Sequence, residues 1–103
     1  MIFRLLMHRM ESELSASVDG DVLVLNGVSF DFSVLQDGDL LPKEAISSRW
    51  IGPGGVERIG GEVSVHLIVP YGRNAPEETY DPPATLEVSD GPVPLPIHGG
   101  SVG

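Results

Sequence analysis

His8, His66, His98 and several serines are the residues from which a hydrolytic centre would have to be assembled. Such a centre needs a nucleophile, an imidazole oriented to take its proton, and donors for an oxyanion. No G-x-S-x-G elbow occurs, and His98-Gly99-Gly100, the nearest approach to an oxyanion loop, lies in the C-terminal tail. Zinc needs three or four converging ligands, whereas the histidines fall in separate expected elements and the chain has no cysteine. His66 is read instead as a solvent-facing strand residue. Asp19-Gly20-Asp21 and Asp37-Gly38-Asp39 place carboxylates at tight turns. Neither continues into the D-x-D-x-D-G pattern and distal Glu of a calcium loop. Gly52-Pro53-Gly54-Gly55 lacks the Lys, the Ser/Thr and the following helix of a phosphate cradle, and Pro53 offers no amide, so this segment is read as a turn. Paired carboxylates of the kind glycosidases use arise by chance among 15 acidic residues, and a thin sheet leaves little room for a sugar cleft. The expectation is therefore no enzyme, no cofactor and no metal.

Recognition chemistry has better material. Trp, Tyr and Arg are enriched where protein interfaces concentrate their binding energy, and Trp50 and Tyr71 lie close to Arg49 and Arg73. Trp50 and Tyr71 each have two readings, as core or loop cover and as interface anchors, and both are kept. The segment Pro92-Val93-Pro94-Leu95-Pro96-Ile97 alternates proline with apolar residues. Proline fixes its own φ and removes amide donors, so this segment should be extended and lose little entropy on binding. The candidate protein-binding residues are thus Trp50, Tyr71, Arg73 and Pro92 to Ile97.

Charge limits the partners. Fifteen acidic against six basic residues give a net charge of −9, a field that repels nucleic-acid phosphates and anionic lipid. No run reaches the ~18 apolar residues of a membrane span, and Met1 to Met10, interrupted by Arg4, His8 and Arg9, reads as a strand and not as a signal peptide. The absence of cysteine fits synthesis in a reducing cytoplasm.

The elements that would position these residues are strands. With 103 residues the chain supports one core, and its 13 Gly and 9 Pro imply many turns. Asp19-Gly20 and Asn26-Gly27 are favoured type I′ pairs, predicting a three-stranded meander over Leu14 to Phe32. In it Val18 faces Asp21 and Leu14 faces Leu25 across the first turn, while Leu25 faces Val28 and Leu23 faces Phe30 across the second. Leu14, Ala16, Val18, Leu23, Leu25, Val28, Phe30 and Phe32 then share one packed face. Pro42 to Ile46 resembles one helical turn, after which Trp50 and Ile51 are expected to plug the open edge of the sheet. Gly60-Gly61 joins Val56–Ile59 to Glu62–Val69, although a two-residue loop sets Arg58 beside Val63, which leaves a longer loop or bulge open. Ala84 to Val88 adds a last short strand. The expected fold is mostly β: a small antiparallel sheet, sandwich or partly open barrel of hairpins, with at most one helical turn. A β domain over 1–89 is followed by an extended Pro/Gly-rich arm over 90–103.

Five pieces in order carry a resemblance: the N-terminal strand, DGDVLVLNGVSFDFS at 19–33, LLPKEAISSRW at 40–50, HLIVPYGRNAPEET at 66–79 and DGPVPLP at 90–96. Across nearly all of residues 1–97 the chain resembles a family of small proteins encoded in the tail-gene region of tailed bacteriophages and prophages. No catalytic motif comes with that resemblance. It implies a non-enzymatic virion protein of the tail tip, baseplate or tail fibre, made in the bacterial cytoplasm and docked on neighbouring tail or fibre proteins, with homo-oligomerisation left open. A tail-fibre assembly chaperone missing from the mature particle is the alternative, and a small glycan-binding module or enzyme acting on the host surface is a third.

Overall fold

The structure of the protein, a computed structural model, is described at residues 1–72, 75 and 85–95. These residues form strands β1 (Ile2–Arg9), β2 (Ala16–Asp19), β3 (Val22–Leu25), β4 (Val28–Asp31), β5 (Leu40–Leu41), β6 (Ile51–Ile59), β7 (Glu62–Tyr71), β8 (Thr85–Glu87) and β9 (Asp90–Pro92). The one helical element among them is a single 3-10 turn at Lys43–Ala45, directly after Pro42, as the proline predicts. The strands make two sheets, one ordered β5-β6-β7-β1-β8 and the other β4-β3-β2-β9. The fold is mostly β.

The smaller sheet is the predicted meander, with one change of register. Asn26 (φ 49°) and Gly27 (φ 82°) both adopt the left-handed backbone of a type I′ loop, so Leu25 faces Val28 and Leu23 faces Phe30 as expected. The first loop is Gly20-Asp21 and not Asp19-Gly20: Asp19 pairs with Val22 and Ala16, not Leu14, faces Leu25. Only Gly20 has positive φ there, which is the type II′ preference for glycine at the first loop position. The partner moves by two residues, an even number, so every side chain keeps its expected face. Ala16, Val18, Leu23, Leu25 and Phe32 are buried, Leu14 and Phe30 half-buried, and Val28 is 56% exposed.

In the larger sheet the Gly60-Gly61 loop is two residues long, and Arg58 does pair with Val63. The irregularity lies further back, between Ile51 and Val56. Gly52-Pro53-Gly54-Gly55 is therefore not a separate turn; it is a bulged stretch inside β6, and Ile51 is a strand residue and not an edge plug. Gly55 has φ +63°, and a Cβ there would run into the Leu41 carbonyl oxygen, so glycine is what lets β5 approach. β1 pairs in parallel with β7, Phe3 beside Val65, and antiparallel with β8, Phe3 beside Leu86. Phe3, Val65, Leu67, Ile51 and Val56 from this sheet and Leu23 and Leu25 from the other are almost wholly buried in one hydrophobic cluster. Removing a large side chain from such a core costs about 3–5 kcal/mol.

After β8 the chain crosses from the larger sheet to the smaller, where β9 pairs with β2, Pro92 opposite Ser17. Residues 90–95, expected to begin a separate arm, are thus packed on the β domain, and Val93 is buried.

Candidate docking site

Residues at the two ends of β6 meet the smaller sheet in contrasting ways. Near its C-terminal end, Arg58 reaches the smaller sheet: its Nε donates to the Leu35 carbonyl (2.6 Å), its Nη2 to the Phe32 carbonyl and the Asp21 carboxylate (3.2 Å each), and its Nη1 to the Gly61 carbonyl (3.0 Å). The guanidinium fork suits this many acceptors. The arginine that looked misplaced beside Val63 is the polar tie between the sheets. Asp37 accepts the Gly61 amide at 2.8 Å and Asp39 the Gln36 amide at 2.8 Å. Of the carboxylates considered for calcium, Asp21, Asp37 and Asp39 are therefore engaged in holding loops.

At the N-terminal end of β6, Trp50 is buried to 7% exposure, with the Arg49 guanidinium 4.8 Å above its ring and the Arg49 Nη2 donating to the Ser12 hydroxyl. Trp50 lines a recess of about 300 Å³ with Leu25, Val28, Phe30 and Arg49. A second recess of about 360 Å³ continues past Phe30 along Phe32, Val34, Leu41 and Ile46. Phe30 and Ser47 belong to both, so they form one groove between β4 and the segment leading to β6. The Phe30 and Phe32 rings stack with centroids 6.5 Å apart along its floor. Val28 faces the core side as its register requires, yet at the hairpin end that side meets the Trp50 recess and not the larger sheet. This is why it is exposed.

β4 is also the outer strand of its sheet. Leu25 and Val28 close a two-residue hairpin, and the Phe32 amide donates to the Asp21 carbonyl at 2.9 Å. Hydrogen-bonded pairs alternate along an antiparallel ladder, so the N–H and C=O groups of Ser29 and Asp31 point away from β3. Among the described residues no strand pairs with that side. The Asp31 carboxyl is held below the usual aspartate range by the Ser33 hydroxyl and then by the Ser33 backbone N–H, so it is an anion at neutral pH.

The residues singled out in the sequence do not all converge here. Trp50 does line the groove. Tyr71 ends β7, half-buried, beside Arg9. Pro92 and Pro94 are exposed and Leu95 half-buried at the opposite edge of the smaller sheet from β4. Val93 is in the core, which removes it as a contact. Arg73, Pro96 and Ile97 lie outside the described residues. His66 is half-buried and not fully solvent-facing, its Nδ1 3.2 Å from the Gly55 carbonyl oxygen. Val28, Phe30, Val34 and Ile46 were not singled out. Their apolar character is visible in the sequence, but the open edge they border is set by which strands pair.

Among the described residues no group of three or more His, Asp or Glu side chains is arranged to hold a metal ion, and no helix is long and apolar enough to cross a membrane. No family model, no curated protein and no solved structure matches the chain. What the groove offers is apolar surface, ring faces and unpaired backbone groups, which is the chemistry of holding another polypeptide.

Proposed function

We propose that the chain is a non-enzymatic structural protein of a phage tail, in the tip, baseplate or fibre, that docks onto a neighbouring tail protein. The observation that carries the docking part is the groove of Trp50, Phe30 and Val28 beside the open edge of β4. Apolar and aromatic side chains at a recess, beside unpaired backbone, supply both burial and directional bonding to a partner. The tail setting is drawn from the resemblance of residues 1–97 to small tail-gene proteins. Quantitative mass spectrometry of purified particles tests the reading: the protein should be present in a fixed ratio to the major tail protein. Its absence from mature particles, together with a raised soluble yield of the adjacent fibre protein on coexpression, would replace this reading with that of an assembly chaperone.

A further inference from the structure

Sheet edges attract unwanted strands, and proteins usually blunt them by shortness, proline or cover. Here β5 is two residues long and runs into Pro42, β8 is three residues long, and β9 contains Pro92 with Pro94 following. The fourth edge, β4, has four residues and no proline, and it presents the backbone of Ser29 and Asp31. Of the four outermost strands three are guarded, and β4, among the described residues, is left open over an apolar groove.

Resting on the docking reading, we infer that β4 receives an extended cationic strand from a different protein, which adds as a fifth strand to the smaller sheet. Such a strand bonds to the Ser29 and Asp31 backbone groups. Its alternate side chains point inward, one into the recess beside Trp50 and one into the recess beside Ile46, because side chains two apart on a strand lie ~6.6 Å apart on one face. The inward positions are apolar, since Leu25, Val28, Phe30, Phe32, Val34 and Leu41 line the two recesses. The outward positions are basic. The chain carries −9 and Asp31 sits on this edge, while Arg49, the cation lining the groove among the described residues, borders only the recess at the Trp50 end. The same charge disfavours a second copy, which would bring two surfaces of −9 together.

The experiment uses the whole chain, isotopically labelled, and two ten-residue synthetic peptides. One alternates Val with Lys and Thr; in the other Glu replaces Lys. The basic peptide should shift the Ser29 and Asp31 amides and the Trp50 indole, and slow exchange of those two amides at least tenfold. The acidic peptide should bind at least tenfold more weakly. Ser29→Pro removes an outward N–H and no ladder bond, so it should abolish the basic peptide's effect while the remaining spectrum is kept. Val28→Lys, at an exposed position, provides a second variant that should weaken binding at least fivefold. Shifts confined to another edge, no binding by either peptide, equal binding of both, or a dimer that already protects Ser29 and Asp31 would each overturn the inference. A chain present in particles but with no peptide response at β4 sinks this mode of docking alone. A peptide response in a chain absent from particles sinks the tail reading alone.

Discussion

The two ends of β6 differ in what they do with their bonding capacity. At the Arg58 end, a guanidinium meets four oxygen acceptors from Leu35, Phe32, Asp21 and Gly61, and its side chain is 13% exposed. At the Trp50 end, the ring packs on one side and leaves a recess on the other, with a strand edge beside it. One end is closed by the chain's own groups and contributes stability; the other retains surface that folding does not use. On the proposed reading, a docking surface in a small two-sheet protein need not be an added loop, because it can be the end at which two sheets fail to cover each other.

Substitutions at the two ends should separate in magnitude. Arg58→Ala leaves the Leu35 and Phe32 carbonyls and the Asp21 carboxylate short of a donor, and is expected to cost about 3 kcal/mol in urea unfolding. A loss below about 1 kcal/mol would mean that water replaces the guanidinium and that the closed end is closed in appearance only. Asn26→Ala removes the acceptor of the Ser15 amide (2.7 Å), a donor to the Glu13 carbonyl (3.1 Å) and a residue tolerant of φ 49°. It should cost about 1–2 kcal/mol and loosen the hairpin that walls the open end, read as faster amide exchange at Val28. Arg49→Ala should change stability by about 0.5–1 kcal/mol at most, since a stacked surface cation contributes little in water. A loss near that of Arg58 would erase the contrast.

The smallest expected effect is electrostatic. Asp31 should titrate below the ordinary aspartate value of 3.8 in an NMR pH series, and Ser33→Ala should move it back upward. Because the folded-state value is depressed, the contribution is present above the unfolded value and disappears as pH falls through the folded one. Between neutral pH and the ordinary aspartate range, Asp31 therefore stays charged on the β4 edge.

What could be read from the sequence was local. Asn26-Gly27 and Gly60-Gly61 announce their loops through backbone conformations that few residue pairs tolerate, and alternation then assigns faces. The Gly20-Asp21 loop was misplaced by one position because Asp19-Gly20 and Gly20-Asp21 are both good turn pairs, and only cross-strand packing chooses between them. The Gly52–Gly55 stretch has turn composition, yet glycine also serves bulges, and here close approach to Leu41 decides the matter. The parallel pairing of β1 with β7 has no local signature. Arg58 looked like a break in an apolar pattern because three of its four acceptors come from distant segments. Val93 looked like part of a free arm because prolines surround it, although a single apolar residue finds a place in the core. Trp50 was visible as a candidate from its type, while the open edge beside it was not, since an edge is defined by the strand that fails to pair there.

The pairing of Ile2 with Ser64 and with Glu87 bears on the order of events during synthesis. The pairs within the meander of β2, β3 and β4 are close in sequence and can form early, whereas the outer side of β2 waits for β9 and β1 has no partner until residues 62–71 have emerged. Until then Phe3, Leu5 and Met7 stand uncovered on a nascent chain, and β8, later still in the sequence, closes the other side of β1 at Ile2–Arg4.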